Sequence, residues 1–136
     1  MEDSGIRYLT LPLVIGIHAD IMRLTGFAPA PIRDEGTLES AVMRPQMAAH
    51  YAEADLMRQA ALLGAGVAQA QAFLDGNKRT AFAAMDVFLR LNGFEFIGEL
   101  QETLDQFAAL ASRSDSLDAA TDRFEAFLRE HVRPLP

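Results

Sequence analysis

At 136 residues the chain has room for one compact domain, and half of its residues are apolar, enough for a packed interior and too much for a disordered chain. Twelve Lys and Arg stand against 19 Asp and Glu, so a formal charge of −7 speaks against a broad electrostatic grip on nucleic acid. The absence of Cys excludes disulfides, thiolate zinc sites and thiol nucleophiles, and agrees with a cytoplasmic address.

Ile6 to Leu9 read as a short strand. Thr10 then caps a first helix with Pro12 tolerated in its first turn; Val14, Ile17, Ile21 and Leu24 share one face, and Gly26 supplies the stop. Phe27 to Gly36, with Pro29 and Pro31, reads as an extended loop or small flap. Leu38 and Val42 predict a short second helix ending near Arg44, because Pro45 disfavours helical geometry in the residue before it. Asp55 opens a third helix, carried by Leu56, Ala60, Leu63, Val67 and Ala70 as far as Phe73, in which Gly64 and Gly66 allow close packing.

After a break at Asp75-Gly76-Asn77, residues 78 to 92 are helical again, and their wide apolar surface, with Phe82, Met85, Phe88 and Leu89, predicts a central helix. Glu95 to Ile97 is expected to pair with the N-terminal strand. Leu104, Phe107 and Leu110 mark a fifth helix; Leu117, Phe124, Phe127 and Leu128 mark a sixth, capped by Ser116 and halted before Pro134. No stretch suits a bilayer, and a start with Glu2 and Asp3 lacks the basic head of a secretory leader. The expected fold is all-α: one domain over residues 1–136, a compact bundle of about six helices with at most one very short β-hairpin.

The segment from Gln71 to Thr80, reading Gln-Ala-Phe-Leu-Asp-Gly-Asn-Lys-Arg-Thr, joins the third and fourth helices. Free N–H groups at a helix start favour anions, so Gly76 and Asn77 suit a phosphate close to the main chain. Lys78 and Arg79 add positive charge, and the Asp75 carboxylate suits Mg²⁺ carried by a polyphosphate. A plainer account fits the same residues: Asp75 caps the helix, Gly76 makes the turn, Asn77 satisfies backbone groups and the two cations face solvent. Spacing alone leaves both open.

The run Phe73-Leu-Asp-Gly-Asn-Lys-Arg-Thr-Ala81 resembles the signature of the Fic/Doc family, and of its death-on-curing (Doc) toxin branch in particular. The likeness extends to Ile17-His18 with Asp20, to residues 32–46 and to Phe88–Gly93, so it covers about residues 6 to 97. It implies a helical fold whose signature loop binds ATP with Mg²⁺. Members with Gly at the position of Lys78 typically transfer AMP to a protein hydroxyl. Lys there resembles the branch that transfers the terminal phosphate, as a protein kinase does, onto translation elongation factor Tu, and that is neutralised by an antitoxin whose flexible tail folds into a groove. By this resemblance Asp75 holds Mg²⁺, amides around Gly76 and Asn77 cradle phosphate, and Lys78 and Arg79 bind its charged oxygens. Phe73 is expected in the core, and Phe27 to Glu35 is either a flap that guides the target by strand addition or an ordinary surface loop.

The sequence departs from the family at Gln71, which occupies the position of the His that takes the proton from the attacking hydroxyl. Gln has no titratable nitrogen, so catalysis is expected to be impaired, by a factor of roughly 10² to 10⁴ for a lost general base and less where positioning dominates phosphoryl transfer. Either a naturally degenerate chain or an introduced replacement accounts for it. Without the resemblance, Gln71 reads as a helix-end amide bonded to backbone. His18, expected to pack or bond locally, and His50 and His131 offer no evident substitute base, and three scattered His make no zinc site. AMP transfer, or a non-catalytic module that binds an antitoxin, are the alternatives.

Overall fold

The computed structural model describes residues 5–28, 31–111 and 117–136, without the side chains of residues 111, 117 and 118. In chain order the elements are α1 (Leu11–Leu24), α2 (Glu35–Ala52), α3 (Leu56–Ala70), α4 (Asn77–Leu91), β1 (Phe94–Phe96), α5 (Leu100–Ala111), α6 (Leu117–Arg129) and β2 (Val132–Pro134). Side chains cap the first three helices: Thr10 accepts from Leu13 N–H, Asp34 from Thr37 N–H and Asp55 from Arg58 N–H. Gly26, at φ +85°, ends α1 as its sequence predicts. The cap expected from Ser116 lies outside the described residues.

Packing runs outward from α3. Its small residues let neighbours approach on several sides, so Ala60, Ala61, Leu63, Ala65 and Val67 are all buried, and α2, α4, α5 and α6 pack around it. A Cβ at Gly64 would lie 3.3 Å from Met85 Sδ and from the Phe107 ring, and one at Gly66 would lie 3.3 Å from Ala41 Cβ. Both glycines therefore serve close helix packing. The expected central position of α4 is matched by the burial of Thr80, Ala81, Ala84, Met85, Phe88 and Leu89, although more of α3 is buried.

Three expectations are corrected. First, α2 continues through Pro45 to Ala52, because Leu38, Ala41, Val42 and the Pro45 ring itself form the buried face against α3. Tertiary burial outweighs the local penalty of a proline inside a helix. Second, residues 6–9 form no strand; the Asn92 side chain grips the backbone of Arg7 instead, accepting from its N–H at 2.8 Å and donating to its C=O at 2.9 Å. Third, β1 pairs antiparallel with β2 at the C-terminus, Glu95 opposite Arg133, so the two strands are separated by α5 and α6 and form no hairpin.

An ion-pair cluster fastens α6 to the start of α3. Arg129 donates from Nη2 to both Asp55 oxygens at 2.8 Å, and Arg58 donates to Asp122 and Glu125 at 2.7 and 3.0 Å. The Arg129 hydrogen bonds, aided by the Arg58 N–H, hold the Asp55 carboxyl below its ordinary pKa.

Candidate functional site

The loop between α3 and α4 begins and ends in left-handed backbone. Gln71, at φ 45° and ψ 43°, terminates α3, and Gly76, at φ 82° and ψ 13°, precedes α4. The helix whose sequence pattern runs to Phe73 thus stops at Ala70, and the chain turns sharply into the loop. Only glycine takes positive φ without a steric penalty, so Gln71 needs external support. Arg33 supplies it, donating from Nη2 to the Gln71 carbonyl at 2.7 Å.

Between these turns the loop is pinned from three directions. From the segment before α2, the N–H groups of Arg33 and Asp34 donate to Ala72 O, and Ile32 forms an antiparallel bridge with Phe73. From α1, the buried His18 ring stacks on Phe73 and its Nε2 lies 2.9 Å from Asp75 O. From α4, Asn77 accepts from Phe73 N–H at 3.1 Å and donates to Phe73 O at 2.9 Å. Phe73 is 1% exposed, the core anchor its sequence predicts.

This pinned loop forms one wall of a 410 Å³ cleft. Gln71, Asp75, Gly76, Asn77, Lys78 and Arg79 all line it, opposite Leu104, Phe107 and Ala108 of α5. Every predicted site residue is therefore gathered at one cleft, and Gln71, Asp75, Lys78 and Arg79 are exposed in it or at its edge. The volume falls in the range of small-molecule sites, about 300–1,000 Å³. A second, 220 Å³ hollow lies on the other side of the loop, walled by Ile21, Met22, Thr25 and Phe27 and sharing Asp75, Gly76 and Arg79.

Unlike α1, α2 and α3, α4 has no side-chain cap. Its first three residues, Asn77, Lys78 and Arg79, line the cleft, which brings the positive end of its dipole there. Two sequence expectations need refinement. The Gly76 N–H already donates to Asp75 Oδ1 at 2.8 Å, and the Asn77 side chain is spent on Phe73. The amides left without a side-chain cap are those that follow Gly76. The Gln71 side chain is exposed, and only its carbonyl is bonded, so it is not the backbone-capping amide of the plainer reading.

Sequence reasoning missed Arg33 and the partner of His18. His18 bonds across 57 residues rather than locally. Its burial was legible, since it falls four residues after Val14 and four before Met22 on the buried stripe of α1. Among the described residues no group of three or more His, Cys, Asp or Glu is placed to hold a metal, so a metal cage built by protein alone is not present there. No helix among the described residues is long and apolar enough to cross a membrane.

A sequence model of the Fic/DOC family matches residues 8–89, the span from the end of the N-terminal segment to the last turn of α4. The chain is also 35% identical over 100 residues to the protein named Toxin Doc from Mycolicibacterium smegmatis (strain ATCC 700084 / mc(2)155), covering 71% of this chain and 77% of that relative. The loop, α3 and all but the last two residues of α4 lie inside the matched family span, and the chain belongs to the Fic/DOC family.

Proposed function

We propose that this chain is the toxin of a toxin–antitoxin pair, and that its 410 Å³ cleft binds Mg²⁺-ATP and passes the terminal phosphate to a hydroxyl of a protein target of the elongation factor Tu type. The observation that carries the reading is the uncapped start of α4, opening into the same cleft as Lys78, Arg79, Asp75 and Gln71. Similarity to Toxin Doc supports the toxin role and, with it, an antitoxin as partner.

The residues present fit such a ligand. Open amides and two cations suit phosphate oxygens, and the Asp75 carboxylate, with only Oδ1 engaged by its neighbour, suits one edge of a hydrated Mg²⁺. When bound, ATP supplies the phosphoryl group and Mg²⁺ spreads the charge on its oxygens. Lys78 brings a mobile point charge and Arg79 a forked donor, so together they hold and orient the chain of phosphates. Transfer forms a bond from the target hydroxyl oxygen to the terminal phosphorus, breaks that phosphorus from its bridging oxygen and releases ADP. The hydroxyl proton has to leave as well. At position 71 the amide has no site for it, so the proton passes to water and the step is slow. The AMP-transferring course is disfavoured by Lys78.

Titration calorimetry of the full chain with Mg²⁺-ATP tests the binding. Saturable heat is expected, diminished in Asp75→Ala; a folded native chain that binds nothing at millimolar nucleotide overturns the reading. Gln71→His should raise modification of elongation factor Tu by roughly 10² to 10⁴, with a mass gain of one phosphate. A gain of AMP would reassign the reaction, and equal absence of transfer in both forms, with tight antitoxin binding retained, would leave a non-catalytic binding module.

A further inference from the structure

α1 contributes no side chain to the lining of the cleft, yet it holds the loop that forms one of its walls. His18 is 2% exposed, and its Nε2 lies 2.9 Å from the Asp75 carbonyl oxygen. A carbonyl only accepts, so Nε2 carries the hydrogen and donates. The same imidazole lies flat on Phe73, 3.6 Å between centroids and 6° between planes. One side chain thus grips the loop at two points, at Phe73, its third residue, and at Asp75, two residues before α4 begins.

The geometry of that grip reaches the phosphate site. Because the Asp75–Gly76 peptide is planar and trans, turning its oxygen toward α1 turns the Gly76 N–H away from α1, where it meets Asp75 Oδ1 at 2.8 Å. The uncapped first turn of α4 follows directly from this peptide, so its orientation sets where the next amides point. Met22, one turn beyond His18, closes the remaining space: a Cβ at Gly76 would stand 3.0 Å from its Sδ and 3.4 Å from the His18 ring. Packing alone does not call for imidazole here. The buried neighbours on the same stripe of α1 are Val14 and Met22, and an enclosed polar ring is costly unless its hydrogen bond is made.

We infer that His18 is a positioning residue for phosphate recognition, holding the Asp75–Gly76 peptide so that the amides opening α4 face the cleft. The inference rests on the proposed phosphate-binding role of that cleft. It makes α1 a part of the nucleotide site that no contact with nucleotide would reveal.

Two variants of the full chain separate donor from ring. His18→Phe keeps an aromatic ring on Phe73 and loses the donor. His18→Gln places an amide nitrogen the same number of bonds from Cα as Nε2 and loses the ring. Inorganic tripolyphosphate, which has no nucleoside, reports the phosphate contacts by calorimetry, and hydrogen exchange of amides 76–79 reports the peptide's orientation. In His18→Phe, tripolyphosphate affinity is expected to fall about tenfold and exchange at 76–79 to accelerate, with both substantially recovered in His18→Gln.

Unchanged affinity and exchange in His18→Phe overturn the inference, as does a His18→Gln chain as impaired as the Phe variant. Should His18→Phe fail to fold, His18→Gln decides alone: near-native affinity supports the donor's role and a tenfold loss overturns it. If the native chain binds neither tripolyphosphate nor Mg²⁺-ATP, the proposed function and the phosphate role fall together. Accelerated exchange in the Phe variant would then show that peptide positioning stands without them.

Discussion

Replacing Asn77 tests whether its side chain belongs to the loop or to a ligand. Asn77→Ala deletes the 3.1 Å bond from Phe73 N–H and the 2.9 Å bond to Phe73 O at one stroke. Each such bond contributes about 1 kcal/mol net, and a half-buried peptide group left without a partner costs more, so the expected loss is about 2–3 kcal/mol. Asn77→Asp is the sharper change. It keeps the acceptor for Phe73 N–H but turns the donor into an oxygen facing the Phe73 carbonyl. A negative charge in the first turn of α4 returns about 0.3–1 kcal/mol through the helix dipole, too little to offset the lost bond and the new repulsion. Both variants should therefore unfold earlier in urea, by about 1 M for a slope of about 2 kcal/mol/M, with the slope unchanged. If either stays within about 0.5 kcal/mol of the native chain while Mg²⁺-ATP affinity falls, the side chain serves the ligand and the loop-clasp reasoning is refuted.

Other perturbations address the remaining parts. Lys78→Ala and Arg79→Ala should each weaken Mg²⁺-ATP binding about tenfold and flatten its salt dependence in calorimetry, with melting temperatures unchanged because both side chains are exposed; a variant with native affinity removes its cation from the site. Asp55 has its pKa lowered by Arg129, so its contribution to stability is complete above the unfolded value of about 3.9 and is lost as pH falls through the lower folded value. Asp55→Asn keeps an acceptor for the α3 cap and should lower the urea midpoint at pH 6 while giving a flatter decline between about pH 5 and 2; parallel curves would deny the linkage. Pro45→Ala supplies an N–H for the Ala41 carbonyl and relieves a penalty of about 3 kcal/mol, offset by lost ring packing and a freer unfolded chain, for a net gain of about 1–2 kcal/mol. A midpoint that falls instead would show that the buried ring outweighs the helix penalty.

The elements legible in the sequence are those whose causes are local. Thr10 and Asp55 act as caps through the N–H three residues on, and the apolar stripes of α1 and α3 repeat with the helical period. The misjudged elements depend on partners far along the chain. Pro45 predicts a helix end, and only the close contact of α2 with α3 keeps the helix going. The partner of β1 is decided by Asn92 occupying Arg7 and by Leu135 N–H donating to Gly93 O, interactions that span 85 and 42 residues. A three-residue strand has no internal pattern to select between two such partners.

For the site, the gathering of Asp75, Gly76, Lys78 and Arg79 at one helix start is a local consequence of spacing, and so was legible. The fixing of that start is not local, because Arg33, His18 and Phe73 act across the fold. Gln71 shows how the two levels meet. A C-terminal residue in left-handed backbone is ordinarily Gly or Asn, which adopt it with little strain. Gln meets that conformation at a cost, and Arg33 is committed to the carbonyl it exposes. Backbone geometry therefore gives no reason for a long side chain at this point. The reason has to lie in where the side chain goes, and it goes to the cleft that also holds the cations and the open amides. Position 71 is thus a place where the fold accepts left-handed backbone and still presents a long side chain to the cleft.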